Sequence, residues 1–418
     1  MTSLDKTKPH NEIIPHLFRQ EYAKMTAVLC RHFGLKHIEA AEDIASDTFL
    51  KASENWALNG IPENPIAWLY TVAKNKAKDH FKHIAIFELR VKDSIKANSI
   101  EIEEALDFSD QVIADSQLSM IFTICNTPNA AQAQICLALQ ILCGFSLEEI
   151  ANAFLTKKET IKKRLHRART NLRNDNFQIK PLNKVAIKSG LDTVLKTIYL
   201  LFNEGYFSKS NNQLIRKELC SEAIRLALIL TEHLLTNTPQ VNALLALMCF
   251  QSSRLEARNT ADRVNILFDQ QDKNLWDKSL IDRGNYYLVN ACHGTEISKY
   301  HLEAAMAYWH TTSGDDTKWN HILQLYDQLL LIEYSPVTVL NRVFAFSKVY
   351  GCKEAIREIE KVNLSEHTYY HELLGHLYAD IDASIAIQHY SKAINLTNSK
   401  TARQVLHQEI NRLKEIKP

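Results

Sequence analysis

The spacing of apolar residues predicts a chain made almost entirely of α-helices. Apolar side chains recur at intervals of three and four residues along most segments, which is the period of an amphipathic helix. We find no convincing segment with the two-residue alternation of a half-buried strand. Only 10 glycines and 9 prolines occur among 418 residues, and this scarcity favours long helices over turn-rich β architecture. The predicted fold class is therefore all-α.

The charge pattern divides the chain into four parts. Two helical parts each end in basic residues, and the acidic stretch between them has no clear apolar period, which predicts a linker. After Pro181, helix follows helix, and Thr238-Pro239 and Ser335-Pro336 are predicted helix starts because proline suits the first helical position. The predicted parts are two small helical domains at 11–92 and 116–178, an acidic linker at 93–115, and a long helical part at 183–418.

Residues 145–173 predict a basic helix-turn-helix. Ser146 and Glu149 have the spacing of a capping box that opens a short helix. A tight turn near 155–157 leads to a longer helix whose predicted buried stripe lies at 161, 165, 168 and 172. Between Thr156 and Arg173 there are eight Lys or Arg residues and one acid.

A short helix, a turn and a helix with a basic outer face fit the major groove of DNA, with flanking cations on phosphates. The alternative is a solvated basic face on an ordinary surface helix. One acidic residue against eight basic ones is a more unequal charge balance than such a helix usually has. The predicted contacts with DNA are Lys158, Lys162, Lys163, Arg164, His166, Arg167, Arg169 and Arg173.

The string 160–168 resembles the recognition helix of the promoter −35-binding domain of sigma factors of the extracytoplasmic-function class. A glycine common in that family's turn is missing here, and Leu155 or Thr156 stands near its place. Upstream, residues 41–52 resemble the family's helix that binds the polymerase clamp. The resemblance assigns contact with core RNA polymerase to Glu42, Asp43, Asp47 and Phe49.

Residues 64–82 resemble the family's promoter-melting and −10-reading helix. Asn64 can cap this helix, and Pro65 suits its first position. Cations at intervals of four residues, interleaved with aromatic and amide side chains, suit single-stranded DNA, although a lone tryptophan such as Trp68 is more often a core residue. The candidate residues for −10 binding and melting are Trp68, Lys74, Asn75, Lys78 and Lys82.

The part after residue 183 resembles the helical, tetratricopeptide-like extension carried by a subset of these factors. Leu374, Gly375, Tyr378, Ala386 and Tyr390 resemble one such repeat, and a non-repeating helical bundle is the alternative. Such an array would offer a surface to a protein or peptide partner. The family as a whole implies core RNA polymerase and promoter DNA as partners, with no catalysis and no cofactor.

A stand-alone helix-turn-helix regulator with a sensing repeat domain is the rival interpretation, and an enzyme hidden in the extension is a second. The formal net charge is only +1, so DNA binding must come from local clusters. Eight scattered cysteines without a C-x-x-C pair predict free thiols and a reducing cytoplasm rather than a zinc site. We expect no metal, no signal peptide and no membrane span.

Overall fold

We describe the fold from a computed structural model of the chain. The described residues are 10–91, 106–125, 129–154, 156–174, 182–206, 216–258, 271–312, 317–362, 364–397 and 399–415. Within these ranges the chain forms eighteen α-helices and no β-strand, so the predicted all-α class is confirmed. The chain divides into two compact units, Met1–Leu200 and Leu201–Pro418.

Unit 1 contains seven helices and most of an eighth. They are α1 (His10–Phe33), α2 (Ile38–Asn59), α3 (Pro65–Val91), α4 (Asp110–Cys125), α5 (Ala131–Leu137), α6 (Leu147–Ala153), α7 (Lys158–Asn174) and α8 (Lys184–Tyr206). A single 3-10 turn at Leu35–His37 joins α1 to α2, and a π-helical segment at Ala138–Leu142 extends α5.

The core of unit 1 forms around α1. This helix packs against α2, α3 and α4, and Leu17, Met25 and Leu29 on it are fully buried. Helix α2 ends at Asn59, and the next residue, Gly60, has a φ of 80°, a conformation that glycine adopts at no steric cost. Helix α1 therefore contacts both the helices that follow it, α2 and α3, and the first helix of the next group, α4.

The predicted linker, 93–115, lies only partly within the described residues. The segment 92–105 is outside them, and α4 begins at Asp110 rather than after residue 115. Leu106 is buried, and the Asp107 carboxylate accepts a hydrogen bond of 2.9 Å from the Ser109 amide just before the helix. One buried leucine and a local turn thus order the end of an otherwise acidic stretch.

Unit 2 holds the end of α8 and ten further helices. They are α9 (Lys217–Thr231), α10 (Pro239–Ser252), α11 (Lys278–Ala291), α12 (Lys299–Thr311), α13 (Lys318–Ile332), α14 (Pro336–Tyr350), α15 (Cys352–Ile359), α16 (Thr368–Tyr378), α17 (Ala383–Leu396) and α18 (Lys400–Glu415).

Helix α10 is the centre of the first half of unit 2. It contacts α9, α11 and α12, and its residues 243–250 are at most 1% exposed. Thr238 accepts a hydrogen bond of 3.4 Å from the Val241 amide, and Pro239 occupies the first turn. The predicted start at Thr238-Pro239 is therefore confirmed, as is the start of α14 at Ser335-Pro336.

The second half of unit 2 consists of helices that pack on their neighbours in sequence. One core cluster joins α14, α15 and α16, and another joins α17 and α18. Helices α16 and α17 approach closely where Gly375 faces Tyr390, because a Cβ added at Gly375 would lie 2.5 Å from the Tyr390 ring. A larger residue at 375 would force these two helices apart.

No helix among the described residues is long and apolar enough to span a membrane. The eight cysteines all lie within these described residues and form no disulfide bond; six are buried, Cys352 is half-buried and Cys292 is exposed. Over the same part of the chain, no three His, Cys, Asp or Glu side chains come together as a metal site.

Candidate nucleic-acid interface

The helix-turn-helix is formed by α6 and α7. The Ser146 hydroxyl accepts a hydrogen bond of 3.2 Å from the Glu149 amide, and the Glu149 carboxylate accepts one of 2.8 Å from the Ser146 amide. This is the predicted capping box, and it satisfies two N–H groups that a helix start would leave unpaired. The predicted stripe on α7 is also confirmed, because Ile161, Leu165 and Leu172 are at most 3% exposed and Ala168 is 1% exposed.

The outer face of α7 is strongly cationic. Of the predicted DNA contacts on this helix, Lys158, Lys162, Lys163, His166 and Arg167 are exposed, as is the single acid, Glu159. Lys158 lies 3.8 Å from the Glu148 carboxylate in a solvent-exposed ion pair, which contributes little to stability. Their contact with a −35 element stays a prediction, and their exposure is what such a contact requires.

Two residues on the flanks of α7 that are also predicted to contact DNA are not among these exposed side chains. Arg164 is half-buried, with its guanidinium 5.6 Å from the centre of the Phe154 ring and a long hydrogen bond of 3.7 Å to the Cys136 sulfur. The side chain of Arg173 lies outside the described residues. Arg164 therefore supports the packing of α7 on α6 and α5 as well as adding charge.

Arg169 is held inside unit 1 by acidic residues of α2. Its Nη2 donates to both carboxylate oxygens of Glu42 at 2.7 Å, and its Nη1 lies 3.5 Å from a carboxylate oxygen of Glu39. Burial raises the pKa of Glu42, and the guanidinium of Arg169 opposes that rise. Burial lowers the pKa of Arg169, but Glu42 and Glu39 outweigh it and the net shift is upward. Arg169 therefore contacts two carboxylates, one through each terminal nitrogen, and the contact with Glu42 has the short distance of a charge-assisted hydrogen bond.

The predicted −10 helix, α3, begins as its sequence indicates. Asn64 caps it through a hydrogen bond of 3.0 Å from the Ala67 amide, and Pro65 is its first residue. Trp68 is half-buried and meets the buried Trp56 edge to face, with 5.4 Å between ring centres. Trp68 thus has one face in the core and part of its surface in solvent.

The remaining −10 candidates follow one another along α3. Asn75 and Lys82 are exposed, whereas Lys74 and Lys78 are half-buried. A cationic stripe beside an exposed amide is compatible with a single-stranded backbone and its bases. No observation on the described residues tests the assignment to the −10 element, which stays a prediction.

The predicted polymerase-binding residues on α2 have different environments. Asp43 and Asp47 are exposed, and Asp47 pairs with Lys76 of α3 at 3.2 Å beside a shallow cleft between the two helices. Phe49 is only 4% exposed and packs against Phe18 at 5.0 Å between ring centres. In this form Asp43 and Asp47 can meet a partner, while Phe49 holds α2 against α1.

Sequence reasoning missed a polar contact between α1 and α3. The Tyr70 hydroxyl donates to the Glu21 carboxylate at 2.5 Å, and Glu21 is only 4% exposed. Burial raises the pKa of Tyr70, and Glu21 raises it further. Tyr70 also stacks on Phe108, with 4.8 Å between ring centres. No local pattern identifies this pair, because its members lie 49 residues apart.

Two family models match the chain. Sigma-70 region 2 matches residues 17–85, which hold most of α1 and α3 and the whole of α2. A family of unknown function, DUF6596, matches residues 190–292. The N-terminal part of the chain therefore contains a sigma-70 region 2 domain. This match and the relatives described next support a relationship to the sigma factor family.

Three relatives differ in how much of this chain they cover. An uncharacterized protein of Rhizobium meliloti (strain 1021) is 29% identical over 394 residues, 92% of each chain. The RNA polymerase sigma factor YlaC of Bacillus subtilis (strain 168) is 26% identical over 166 residues, 40% of this chain and 93% of YlaC. The ECF RNA polymerase sigma factor BldN of Streptomyces coelicolor is 30% identical over 129 residues, 31% of this chain and 47% of BldN. No solved structure shows a significant match.

Proposed function

We propose that this protein is a promoter-selecting sigma factor of the extracytoplasmic-function class. It binds core RNA polymerase, recognises the −35 and −10 elements and promotes DNA melting. The observation that carries the proposal is that a sigma-70 region 2 domain and a helix-turn-helix with an exposed cationic face belong to one compact unit. The similarity to YlaC spans more than twice the length of the region 2 match, which supports a second sigma domain.

Each exposed surface of unit 1 has one role in this proposal. Helix α7 enters the major groove of the −35 element, with Lys163 and Arg167 towards base edges and its flanking cations towards phosphates. Helix α3 holds the melted −10 strand through Trp68 and Asn75. Helix α2 presents Asp43 and Asp47 to the polymerase. Selection and melting are driven by binding free energy, so the role needs no catalytic residue, metal or cofactor.

We propose that unit 2 is a tetratricopeptide-like module that modulates the activity of unit 1. From α12 onward, the core clusters of unit 2 join helices that are close in sequence, such as α12 with α13 and α13 with α14. Nearest-neighbour packing of this kind is the property of a repeat array, and such arrays offer extended surfaces to proteins or peptides. The Gly375–Tyr390 contact fits the small-residue packing expected between the two helices of one repeat.

Reconstitution with purified core RNA polymerase tests the proposal. We expect the full chain to form a stable complex with the core enzyme and to start transcripts from a supercoiled promoter. A stand-alone regulator would instead protect duplex DNA without polymerase and would start no transcript. Asp43→Lys should weaken complex formation at least tenfold, a loss of about 1.4 kcal/mol. Asp282→Lys, the same charge change at an exposed position of α11 in unit 2, is the matched control.

Complex formation by the control together with loss in Asp43→Lys would support the polymerase surface on α2. Equal binding by both variants would remove α2 from the interface. Absence of any complex with the unaltered chain, with a duplex footprint in its place, would overturn the sigma factor proposal in favour of the regulator.

A further inference from the structure

Exposed apolar side chains gather at one kind of turn in unit 2. The turns that lead into α10, α12 and α14 span 232–238, 292–298 and 333–335. Large apolar residues in or directly beside these turns face solvent, and Leu234 and Leu331 are the most exposed of them, at 91% and 89%. The others are Leu235, Ile297, Ile332 and Tyr334. Single exposed apolar residues are normal on a protein surface, whereas a group of them marks an interaction site.

These three turns follow one another along one edge of unit 2. A Cβ added at Gly294 would lie 3.8 Å from the Pro239 side chain, so the second turn lies beside the start of α10. The Lys299 ammonium lies 2.8 Å from the Glu333 carboxylate, so the third turn lies beside the start of α12. Helices α10 and α12 also pack directly on each other. We call this row the apolar edge, and its residues are Leu234, Leu235, Ile297, Leu331, Ile332 and Tyr334.

The charge of the apolar edge is negative. Each turn has one exposed carboxylate, Glu232, Glu296 or Glu333, and the three turns contain no Lys or Arg residue. Lys299 neutralises Glu333, which leaves the other two carboxylates in excess. A second copy of the same edge would bring carboxylates against carboxylates, and an anionic lipid surface would be repelled in the same way. The charge therefore favours a cationic partner.

The spacing of the turns favours a helix as that partner. Helices in direct contact lie about 8–10 Å apart, so the turns before α10 and α12 are separated by about this distance. On one face of an extended strand, side chains repeat at about 6.7 Å. In an α-helix, residues seven positions apart lie on nearly the same face and about 10.5 Å apart. A helix along the edge can therefore place one apolar residue at each turn.

We propose that the apolar edge of unit 2 binds an amphipathic helix of a partner protein, with apolar residues at heptad spacing and Lys or Arg beside them. Leu234, Ile297 and Leu331 contact the apolar stripe of that helix. Glu232 and Glu296 contact its flanking cations. The inference deepens the modulating role proposed for unit 2 by naming the class of its partner, and it rests on that role only for its consequence in transcription.

A synthetic peptide tests the apolar edge on the full-length protein. The probe has about 21 residues in three heptads, with Leu at the apolar positions and Lys on both flanks, and fluorescence anisotropy measures its binding. Leu331→Ser should weaken binding at least tenfold, since full burial of one leucine side chain corresponds to a factor of about 10 to 100. Leu275→Ser, at an exposed residue just before α11, makes the same change outside the edge and should leave binding unaltered.

A change of charge is tested in the same assay. A peptide with Glu in place of every Lys should bind at least tenfold more weakly, because each exposed ion pair contributes a factor of up to about five. Glu296→Lys should weaken binding of the Lys peptide, whereas Asp282→Lys, at an exposed position of α11, should not. Circular dichroism should be the same for all variants. Absence of binding, equal binding of the two peptides, or undiminished binding by Leu331→Ser would overturn the proposal.

Self-association and transcription supply the remaining tests. A dimer of the unaltered protein in sedimentation, lost in Leu331→Ser, would show that a second copy occupies the edge and would overturn the proposal. Saturating Lys peptide should change run-off transcription by the reconstituted complex. Peptide binding with unchanged transcription would contradict modulation through this edge and still establish the site. If the protein starts no transcript at all, the sigma factor proposal fails, and peptide binding alone decides whether the edge binds a basic helix.

Discussion

Lys163 and Arg167 are exposed on the outer face of α7, where side chains can reach base edges in the major groove. We predict that Lys163→Ala or Arg167→Ala changes base preference at one −35 position and weakens binding of the reconstituted complex by about 1–3 kcal/mol. Binding to a panel of single-base −35 variants measures the effect. Lys184→Ala, at an exposed position of α8, is the control and should leave preference unchanged. An equal loss on every −35 sequence would show that these side chains contact phosphates only.

Single residues also show which kinds of burial a local sequence pattern can predict and which it cannot. The exposure of Lys163 and His166 follows from their position opposite the stripe Ile161, Leu165, Ala168 and Leu172, which the helical period alone identifies. Phe49 matches a family position, yet its burial against Phe18 depends on how α1 crosses α2. No pattern within α2 contains that information.

Among the helices, α16 carries a carboxyl whose burial gives a prediction for stability. Burial raises the pKa of Glu372 to about 6, above its value in the unfolded chain. The native state therefore holds this proton more tightly, so the stabilisation is fully present below about pH 4.5 and is lost as pH rises through about 6.

We predict that Glu372→Gln, which stays neutral, raises the free energy of unfolding at pH 8 by about 2 kcal/mol, the free-energy equivalent of raising the carboxyl pKa from 4.5 to about 6. The gain should disappear below about pH 4.5. Denaturant titrations of the full chain at several pH values measure it. Glu296→Gln, on an exposed residue, should change stability little at any pH. A Glu372→Gln variant no more stable than the unaltered chain at pH 8 would contradict the burial argument.

Helix ends were predicted well where a local signal exists. The capping box at Ser146, the Asn64 cap and the prolines that open α10 and α14 involve side chains within three residues of the backbone groups that they satisfy. The start of α4 at Asp110 was predicted too late, because the acidic composition of the segment hides the anchoring effect of the buried Leu106. The π-helical segment after α5 has no local signal that we recognise.

For the molecule as a whole, the division into compact units determines how the extension should be removed. The units divide at Leu200, inside α8, although 183 is the boundary predicted from sequence. Thr197 of α8 is buried and lies beside the buried Cys125 thiol of α4, whose pKa is raised by burial to about 12. A cut near residue 176 would therefore remove part of the packing of unit 1.

We predict that truncation after Leu200 changes run-off transcription from a target promoter by at least tenfold, equivalent to about 1.4 kcal/mol. A tethered module acts at high effective concentration, so its removal should change the transcription activity of unit 1. Raised activity would indicate that unit 2 inhibits unit 1, and lost activity in a fragment with native helix content would indicate a positive role. Unchanged activity with purified components and in cells would contradict modulation by unit 2.

The all-α class, the two basic helices with their caps, and the likeness of 41–52, 64–82 and 160–168 to sigma factor motifs were all readable along the chain. These properties depend on neighbours within one or two helical turns, so the order of residues contains them. The tertiary structure decided which residue covers each buried side chain. Arg169 contacts Glu42 rather than solvent, and Tyr70 contacts Glu21. It also decided that the first part of α8 belongs to unit 1. Such pairings depend on how whole helices cross, and the period of one helix specifies the face that is buried without specifying what buries it.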